Sequence, residues 1–139
     1  MTNAPSEYGD PLSRPFWAAA AERRLVVQAC NRCDHRQFYP RPFCLACSAR
    51  DLRFVSIPGS GSVYSCTVVR IAVLPDLPPP YVIALIDLDE GARLLTRVLD
   101  LECAIGDRVV LDWLMREGKP PLPVFRRANP RVKSDRSAG

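Results

Sequence analysis

Residues 30–47 read CNRCDHRQFYPRPFCLAC and contain two Cys-x2-Cys pairs, Cys30 with Cys33 and Cys44 with Cys47, separated by ten residues. Each pair can close a tight turn, and two such turns facing each other place four thiolates about 2.3 Å from a zinc ion at tetrahedral corners. The spacing therefore predicts a zinc ribbon. Because four sulfurs leave no open coordination position, we expect the zinc to be structural.

Other interpretations of these residues remain open. Two disulfides are one alternative, although thiols stay reduced inside the cell, and the N-terminus has no basic region followed by a long apolar one to indicate secretion. Iron in place of zinc is another. His35, the only histidine, can compete as a ligand, but Cys33 and His35 have too little chain between them for both to bind easily.

The composition limits the fold class. Fourteen of the 139 residues are proline, which excludes a long helical bundle or coiled coil, because proline removes a helical donor and clashes with the preceding turn. No run approaches the roughly 18 apolar residues that a membrane helix needs. We therefore expect a mainly β, cytoplasmic protein with no membrane association.

A helix is expected before the ribbon. Ser13 can cap it, Pro15 fits its first turn, and the helix should then run to about Arg24. Phe16 and Trp17 are adjacent, so they cannot share one narrow apolar stripe. Either both pack on the ribbon, or the helix is a docking element with an aromatic facing outward, since exposed aromatics anchor protein interfaces.

Five strands are expected after a break at residues 58–61. Residues 81–86 are apolar on both faces, which suits a small closed barrel, and Asp89-Glu90-Gly91 should turn a hairpin. Five short strands with a long connection after the first are typical of an OB-fold. The predicted strands cover 62–70, 81–88, 92–99, 108–115 and 122–126. The predicted organisation is an N-terminal helix and zinc ribbon at 11–57, an OB-fold barrel at 58–126 and a basic flexible tail at 127–139.

Two proline-rich segments stand out. Residues 72–80 are apolar and stiff, so they either fold back across an open end of the barrel or form a ligand-channel wall or a protein contact. If they form a contact, Leu74 and Leu77 join Phe16 and Trp17 as candidate partner-docking residues. Residues 117–123 are predicted to form a similarly rigid loop.

The sequence gives little indication of catalysis. A nucleophile would have to recruit His35 from beside the metal site, where turn geometry already constrains the backbone. Cys66 lies in a predicted strand and should pack in the core, and Cys103 has no neighbouring base. We expect no catalytic residue. The alternative is an autonomous acyl-transfer or hydrolytic enzyme that uses Cys66 or Cys103.

The charge is divided between the two modules. Residues 22–53 carry seven arginines against three acids, whereas residues 54–125 carry six basic groups against nine acidic ones. Zinc ribbons and OB-folds both occur in nucleic-acid-binding proteins, so single-stranded nucleic-acid binding is the alternative function. Such binding needs a basic groove with stacking aromatics, and the acidic barrel disfavours it.

The order of the motifs resembles a known family. The likeness covers about residues 14–126 and rests on the combination of Pro15-Phe16-Trp17, the two cysteine pairs, Pro80-Tyr81-Val82 and Leu122-Pro123-Val124-Phe125. These motifs resemble the rubredoxin-like zinc ribbon plus OB-fold family, long called a domain of unknown function and associated with acyl-CoA enzymes. Asp34 and Ser48 depart from the pattern, because glycine, which eases a left-handed turn, is common after the cysteine pairs.

The resemblance implies a non-catalytic accessory subunit. Members of the family are partners of thiolase-like proteins or hot-dog-fold hydratases in acyl-CoA condensation, thiolysis, retro-aldol cleavage, acyl transfer and steroid side-chain breakdown, and the partner carries the catalytic residues. We expect this chain to dock on a thiolase-like partner and help form its acyl-CoA channel. Arg32, Arg36 and Arg41 are candidates to pair with CoA phosphates, their alternative being a solvated basic face.

Overall fold

One helix and eight strands make up the computed structural model of the chain, which describes residues 9–73, 75 and 77–128. The elements follow the order expected for a helix, a ribbon and a five-stranded barrel, so the prediction of a mainly β protein is confirmed. They are α1 (Arg14–Ala21), β1 (Leu25–Cys30), β2 (Arg36–Gln37), β3 (Leu52–Ile57), β4 (Ser60–Val69), β5 (Tyr81–Leu88), β6 (Arg93–Val98), β7 (Arg108–Arg116) and β8 (Lys119–Arg127).

The ribbon is a three-stranded antiparallel sheet in the order β2-β1-β3. All six residues of β1 are buried, as a central strand requires. β3 pairs with β1 along its whole length, from Leu25 opposite Ile57 to Cys30 opposite Leu52. We call the two cysteine turns, residues 30–33 and 44–47, the first and second knuckle. The cysteine spacing gives no indication of β3, which follows the second knuckle and forms the second edge of the ribbon sheet.

The second module is a closed barrel in the order β4-β5-β6-β8-β7. The predicted hairpin at Asp89-Glu90-Gly91 joins β5 to β6, with Gly91 at a φ of 112°. Gly61 of β4 lies opposite Leu88 of β5, and a β-carbon at Gly61 would collide with the backbone oxygen of Asp87. β6 meets β8 in parallel, with Val98 opposite Phe125 as the paired position. The two strands therefore separate toward the start of β6.

The last strand is longer than expected at both ends. Residues 117–123 were expected to be a rigid loop, but β7 and β8 form a tight hairpin in which Pro120, Pro121 and Pro123 belong to β8. Proline is tolerated there because β8 has a ladder on one side only over this stretch. Arg127, assigned to the tail by sequence, ends β8 and is buried beside Asp107, 3.0 Å away. Residues 129–139 lie outside the described residues.

The helix begins at Arg14 after Ser13, as predicted, but its capping bond and its last residue differ from the prediction. Ser13 occupies the N-cap position, but its hydroxyl does not cap the helix, so the predicted capping role is wrong. Instead, the Ser13 N–H donates to the Asp10 carboxylate at 2.8 Å. The helix ends at Ala21, three residues early, because Arg23 turns into the left-handed region with a φ of 58°. The Arg24 N–H then bonds the Ala19 carbonyl and directs the chain into β1.

A single hydrophobic core joins the helix, the ribbon and the barrel. It includes Phe16 of α1, Val27 of β1, Val63 of β4 and Phe125 of β8, all at most 3% exposed. No helix in the described part of the chain is long and apolar enough to cross a membrane. The core places α1 against both modules, which positions the surfaces described next.

Candidate metal centre and apolar groove

Four cysteines form a site that can bind a structural zinc ion. The sulfur atoms of Cys30, Cys33, Cys44 and Cys47 all lie within 4.8 Å of one another, and all four are free cysteines. The Cys30–Cys47 and Cys33–Cys44 sulfur pairs are each 3.6 Å apart. Four sulfurs at tetrahedral corners about 2.3 Å from zinc stand about 3.8 Å from one another, so the donor set fits the ion. The disulfide alternative does not describe this arrangement.

The backbone of the two knuckles supports thiolate binding. Asp34 and Ser48 adopt φ values of 63° and 68°, as predicted for residues that stand where glycine is common. Their N–H groups bond the carbonyls of Cys30 and Cys44, each at 2.9 Å. The N–H groups of Cys33 and Arg32 point at the Cys30 sulfur and lower the pKa of that thiol to about 7. The thiolate form of Cys30 is therefore favoured near neutral pH.

Two buried glutamines connect the knuckles, and sequence reasoning gave them no role. The Gln28 side chain accepts from the Arg41 N–H at 2.8 Å and donates to the Arg41 carbonyl at 2.9 Å. The Gln37 side chain donates to the Phe43 carbonyl at 3.1 Å and accepts from the Leu45 N–H at 2.9 Å. The segment that carries Cys44 is thereby held against β1 and β2. Gln28 is a polar residue inside an otherwise apolar strand, and this pattern could have indicated a buried hydrogen-bonding role.

The three arginines predicted to contact CoA phosphates do not lie in one site. Arg32 lines a cavity beside Cys33 and Cys47, Arg36 lines a second cavity, and Arg41 lines an apolar groove. None of the three guanidinium groups has an ion pair within the described residues. By contrast, four arginines of the barrel form ion pairs with carboxylates at 2.6–3.4 Å. These pairs are Arg93–Asp87, Arg108–Asp89, Arg126–Asp112 and Arg127–Asp107. The ribbon therefore carries uncompensated positive charge.

The apolar groove lies where β6 and β8 separate and α1 covers the gap. Its volume is about 490 Å³. Its aromatic wall combines Trp17 of the helix with Phe38 and Tyr39 of the ribbon, and Leu95 lies 62% exposed on the barrel side. The full lining is Phe16, Trp17, Phe38, Tyr39, Arg41, Leu85, Arg93, Leu94, Leu95, Thr96, Leu122 and Pro123.

The four candidate docking residues are placed differently. Phe16 is 3% exposed and its ring lies 5.1 Å from that of Phe38, so it packs on the ribbon and belongs to the core. Trp17 is half-buried and reaches the groove. Leu77 lines another cavity, on the barrel. Leu74 lies outside the described residues. The docking role remains a proposal, with Trp17 better placed for it than Phe16.

The two cysteines outside the metal site pack against the core. The Cys66 thiol donates to the Cys103 carbonyl at 3.6 Å, and both side chains are half-buried. Burial raises the pKa of Cys103 to about 12. The thiol is therefore neutral at physiological pH and a poor nucleophile.

Comparison with known proteins agrees with this architecture. Residues 17–53 match the family described as the ChsH2 rubredoxin-like zinc ribbon domain, and residues 54–114 match the ChsH2 C-terminal OB-fold domain. The chain belongs to the ChsH2 family. A solved chain of the "Ltp2-ChsH2(DUF35) aldolase" is similar to this ChsH2-family chain, with 37% identity and a TM-score of 0.79 over 88% of this chain and 98% of that one.

Three further relatives extend the comparison. The chain is 42% identical over 123 residues to a "Probable enoyl-CoA hydratase alpha subunit" of Thermomonospora curvata, covering 86% of this chain and 39% of that protein. It is 32% identical to a "DUF35 domain-containing scaffold protein" of Methanocaldococcus jannaschii, covering 60% of this chain and 62% of that protein. A DUF35-family structure from Sulfolobus solfataricus, of unknown function, shares the fold, with 19% identity and a TM-score of 0.62 over 87% of this chain and 88% of that one.

Proposed function

We propose that this chain is a non-catalytic, zinc-binding accessory subunit of an acyl-CoA-processing complex and docks on a thiolase-like partner. The likeness to a chain of the Ltp2-ChsH2(DUF35) aldolase over 98% of that chain's length carries the proposal. The name "scaffold protein" of the archaeal relative supports a role in assembly. As part of the proposal we place the complex in the cytoplasm and in lipid or steroid metabolism.

The described side chains support the absence of catalysis in this subunit. His35 lies beside the metal knuckle, and the Cys103 thiol is kept neutral by burial. Four cysteines around one metal leave no position at which zinc can bind a substrate. The bond-making residues therefore belong to the partner, while this chain supplies structure and binding surface.

The apolar groove is the part of this chain that we assign to the acyl-CoA channel. Pantetheine is long and thin, and a concave site of about 490 Å³ with an aromatic wall falls in the size range of ligand pockets. Arg41 contributes to the lining and its guanidinium has no ion pair among the described residues, so it is our first candidate for a CoA phosphate. Arg32 and Arg36 line other cavities and would act on the phosphates at longer range.

A hot-dog-fold hydratase is the second candidate partner. The observation that favours it is the 42% identity to the protein named as an enoyl-CoA hydratase alpha subunit. The chain spans only 39% of that relative, so the remainder of the relative has no counterpart in this chain. Single-stranded nucleic-acid binding is less well supported, because residues 54–125 carry nine acidic groups against six basic ones and several barrel arginines are already paired with carboxylates.

Co-expression with each of the two partner classes tests the proposal. We expect a stable hetero-oligomer with the thiolase-like protein by size-exclusion chromatography, and acyl-CoA turnover by the complex but not by this chain alone. Arg41→Ala should raise the KM for acyl-CoA without dissociating the complex, while Arg70→Ala, at an exposed position outside the groove, should change neither. Turnover by the isolated chain, or no complex with either partner, would contradict the proposal.

A further inference from the structure

Among the residues that the structure describes, Arg97 has no anionic partner. It lies on β6 opposite Ile83, and its side chain is half-buried. Its Nε atom is shielded from solvent and has no hydrogen-bond partner. Within the described residues, its one contact with a charged or aromatic group is the ring of Tyr81, 5.6 Å away.

This lack of a partner is unusual for the barrel. Arg93, two residues earlier on the same strand, is bonded to Asp87 at 2.6 Å, and Arg108 is bonded to Asp89 at 2.6 Å. Withdrawing a guanidinium from water without a compensating anion is unfavourable, so buried charges are normally paired. A cation–π contact near the edge of its range compensates only part of that cost. The half-buried Arg97 side chain is therefore available to pair with an anion.

The cavity beside Arg97 has room for one. Its volume is about 530 Å³, within the range of small-molecule sites. Among the described lining residues, three are basic and one is acidic. The basic ones are Arg97, Arg116 and Lys119, and the acidic one is Glu117. Its remaining walls are apolar and consist of Leu77, Leu114, Met115 and Leu122.

This cavity is separate from the apolar groove. The two share Leu122 as a common wall, and the Arg116 guanidinium lies 5.4 Å from the Trp17 ring between them. Arg116 also donates to the Pro120 carbonyl at 2.8 Å, and this bond holds its guanidinium between the groove and the cavity. An anion at Arg97 would therefore occupy a second site.

We propose that this cavity binds a small organic anion, a carboxylate or a phosphate carried on a short alkyl chain. The anionic group pairs with Arg97, whose planar guanidinium can donate two parallel hydrogen bonds to either head group. The alkyl chain lies against Leu114 and Leu122. The inference rests on Arg97 and the cavity, and it stands whether or not the acyl-CoA role is correct.

Titration of the full zinc-loaded chain with simple probes tests this site. Octanoate and octyl phosphate represent the two head groups, octanol lacks the charge, and acetate lacks the chain. By isothermal titration calorimetry we expect octanoate or octyl phosphate to bind at least tenfold more tightly than octanol and acetate. The tighter of the two identifies the head group. In NMR spectra, the Arg97 Nε–H resonance should shift on binding.

Variants of Arg97 separate charge recognition from simple burial in an apolar cavity. Arg97→Gln should weaken binding of the preferred anion at least tenfold, Arg97→Lys should retain part of it, and Arg70→Gln is the matched control at an exposed arginine. If Arg97→Gln does not fold, Arg97→Lys and the octanol comparison still decide the question. Equal binding of octanol and octanoate, or no binding of either octyl anion, would overturn the proposal. Neither result would alter partner co-purification, which tests the proposed function separately.

Discussion

The side-chain amide of Gln37 donates to the side-chain oxygen of Gln28 at 3.0 Å, joining two buried glutamines that face each other across β1 and β2. Their remaining polar atoms bond the backbone of residues 41, 43 and 45. This network places the second cysteine knuckle opposite the first. Two uncharged side chains thus help to position the cysteine ligands without being ligands themselves.

Replacement of Gln37 by leucine should weaken the ribbon and its hold on the metal. The change leaves the Leu45 N–H and the Phe43 carbonyl without their side-chain partners, at about 1–3 kcal/mol for each group that stays buried. We expect a lower denaturant midpoint and faster zinc loss to a chelator. Asn31→Ala, which removes exposed side-chain bonds to Asp51 and Arg53, is the control and should have a small effect. Unchanged zinc loss in the Gln37 variant would argue against the positioning role.

Cys44→Ser should unfold the ribbon and abolish partner binding. Structural zinc contributes roughly 10–16 kcal/mol of apparent binding energy in comparable small sites, and a serine cannot replace the thiolate. Metal analysis of the native protein should give one zinc per chain, and stoichiometric iron would identify the alternative metal. Cys66→Ser, outside the cluster, is the matched control and should keep its metal. A Cys44 variant that assembled normally with the partner would rule out the ribbon as a docking element.

Ser48→Gly should stabilise the protein. Ser48 has a φ of 68°, where a side chain costs about 1 kcal/mol that glycine avoids. We expect the denaturant midpoint to rise for Ser48→Gly and to stay level or fall for Ser48→Ala, whose β-carbon keeps the strain. Equal midpoints for the glycine and alanine variants would show that the backbone at the second knuckle is not strained.

Stability should depend on Cys103 at alkaline pH. Burial raises the pKa of this thiol to about 12, against 9.0 for an unperturbed thiol. The unfolded chain therefore releases the thiol proton before the folded chain does, so the free energy of unfolding falls as the pH rises above about 9. Cys103→Ala should show a shallower decrease between about pH 9 and pH 10.5 in urea titrations. Parallel curves for the two proteins would place the Cys103 thiol in contact with water.

The sequence predicts the features of this protein that depend on local chemistry. Two Cys-x2-Cys pairs at this spacing indicate a metal site because each pair closes its own turn, and Asp89-Glu90-Gly91 indicates a hairpin between two apolar strands. The left-handed backbone conformation of Asp34 and Ser48 follows from the same kind of local chemistry. A turn conformation is decided within a few residues.

The features that were missed depend on contacts between distant parts of the chain. Residues 117–123 were predicted to be a loop, although their prolines belong to β8. A strand accepts proline where one of its sides has no hydrogen-bonded neighbour, and this depends on how far β8 lies from β6. The role of Ser13 was misassigned because Asp10 accepts the bond from the helix start. The unpaired state of Arg97 becomes visible only when the neighbours of its guanidinium are known.

The core shared by Phe16, Val27 and Phe125 packs the helix, the zinc-binding end and the barrel against one another. A protein that bound the two cysteine turns would therefore also set the orientation of the barrel.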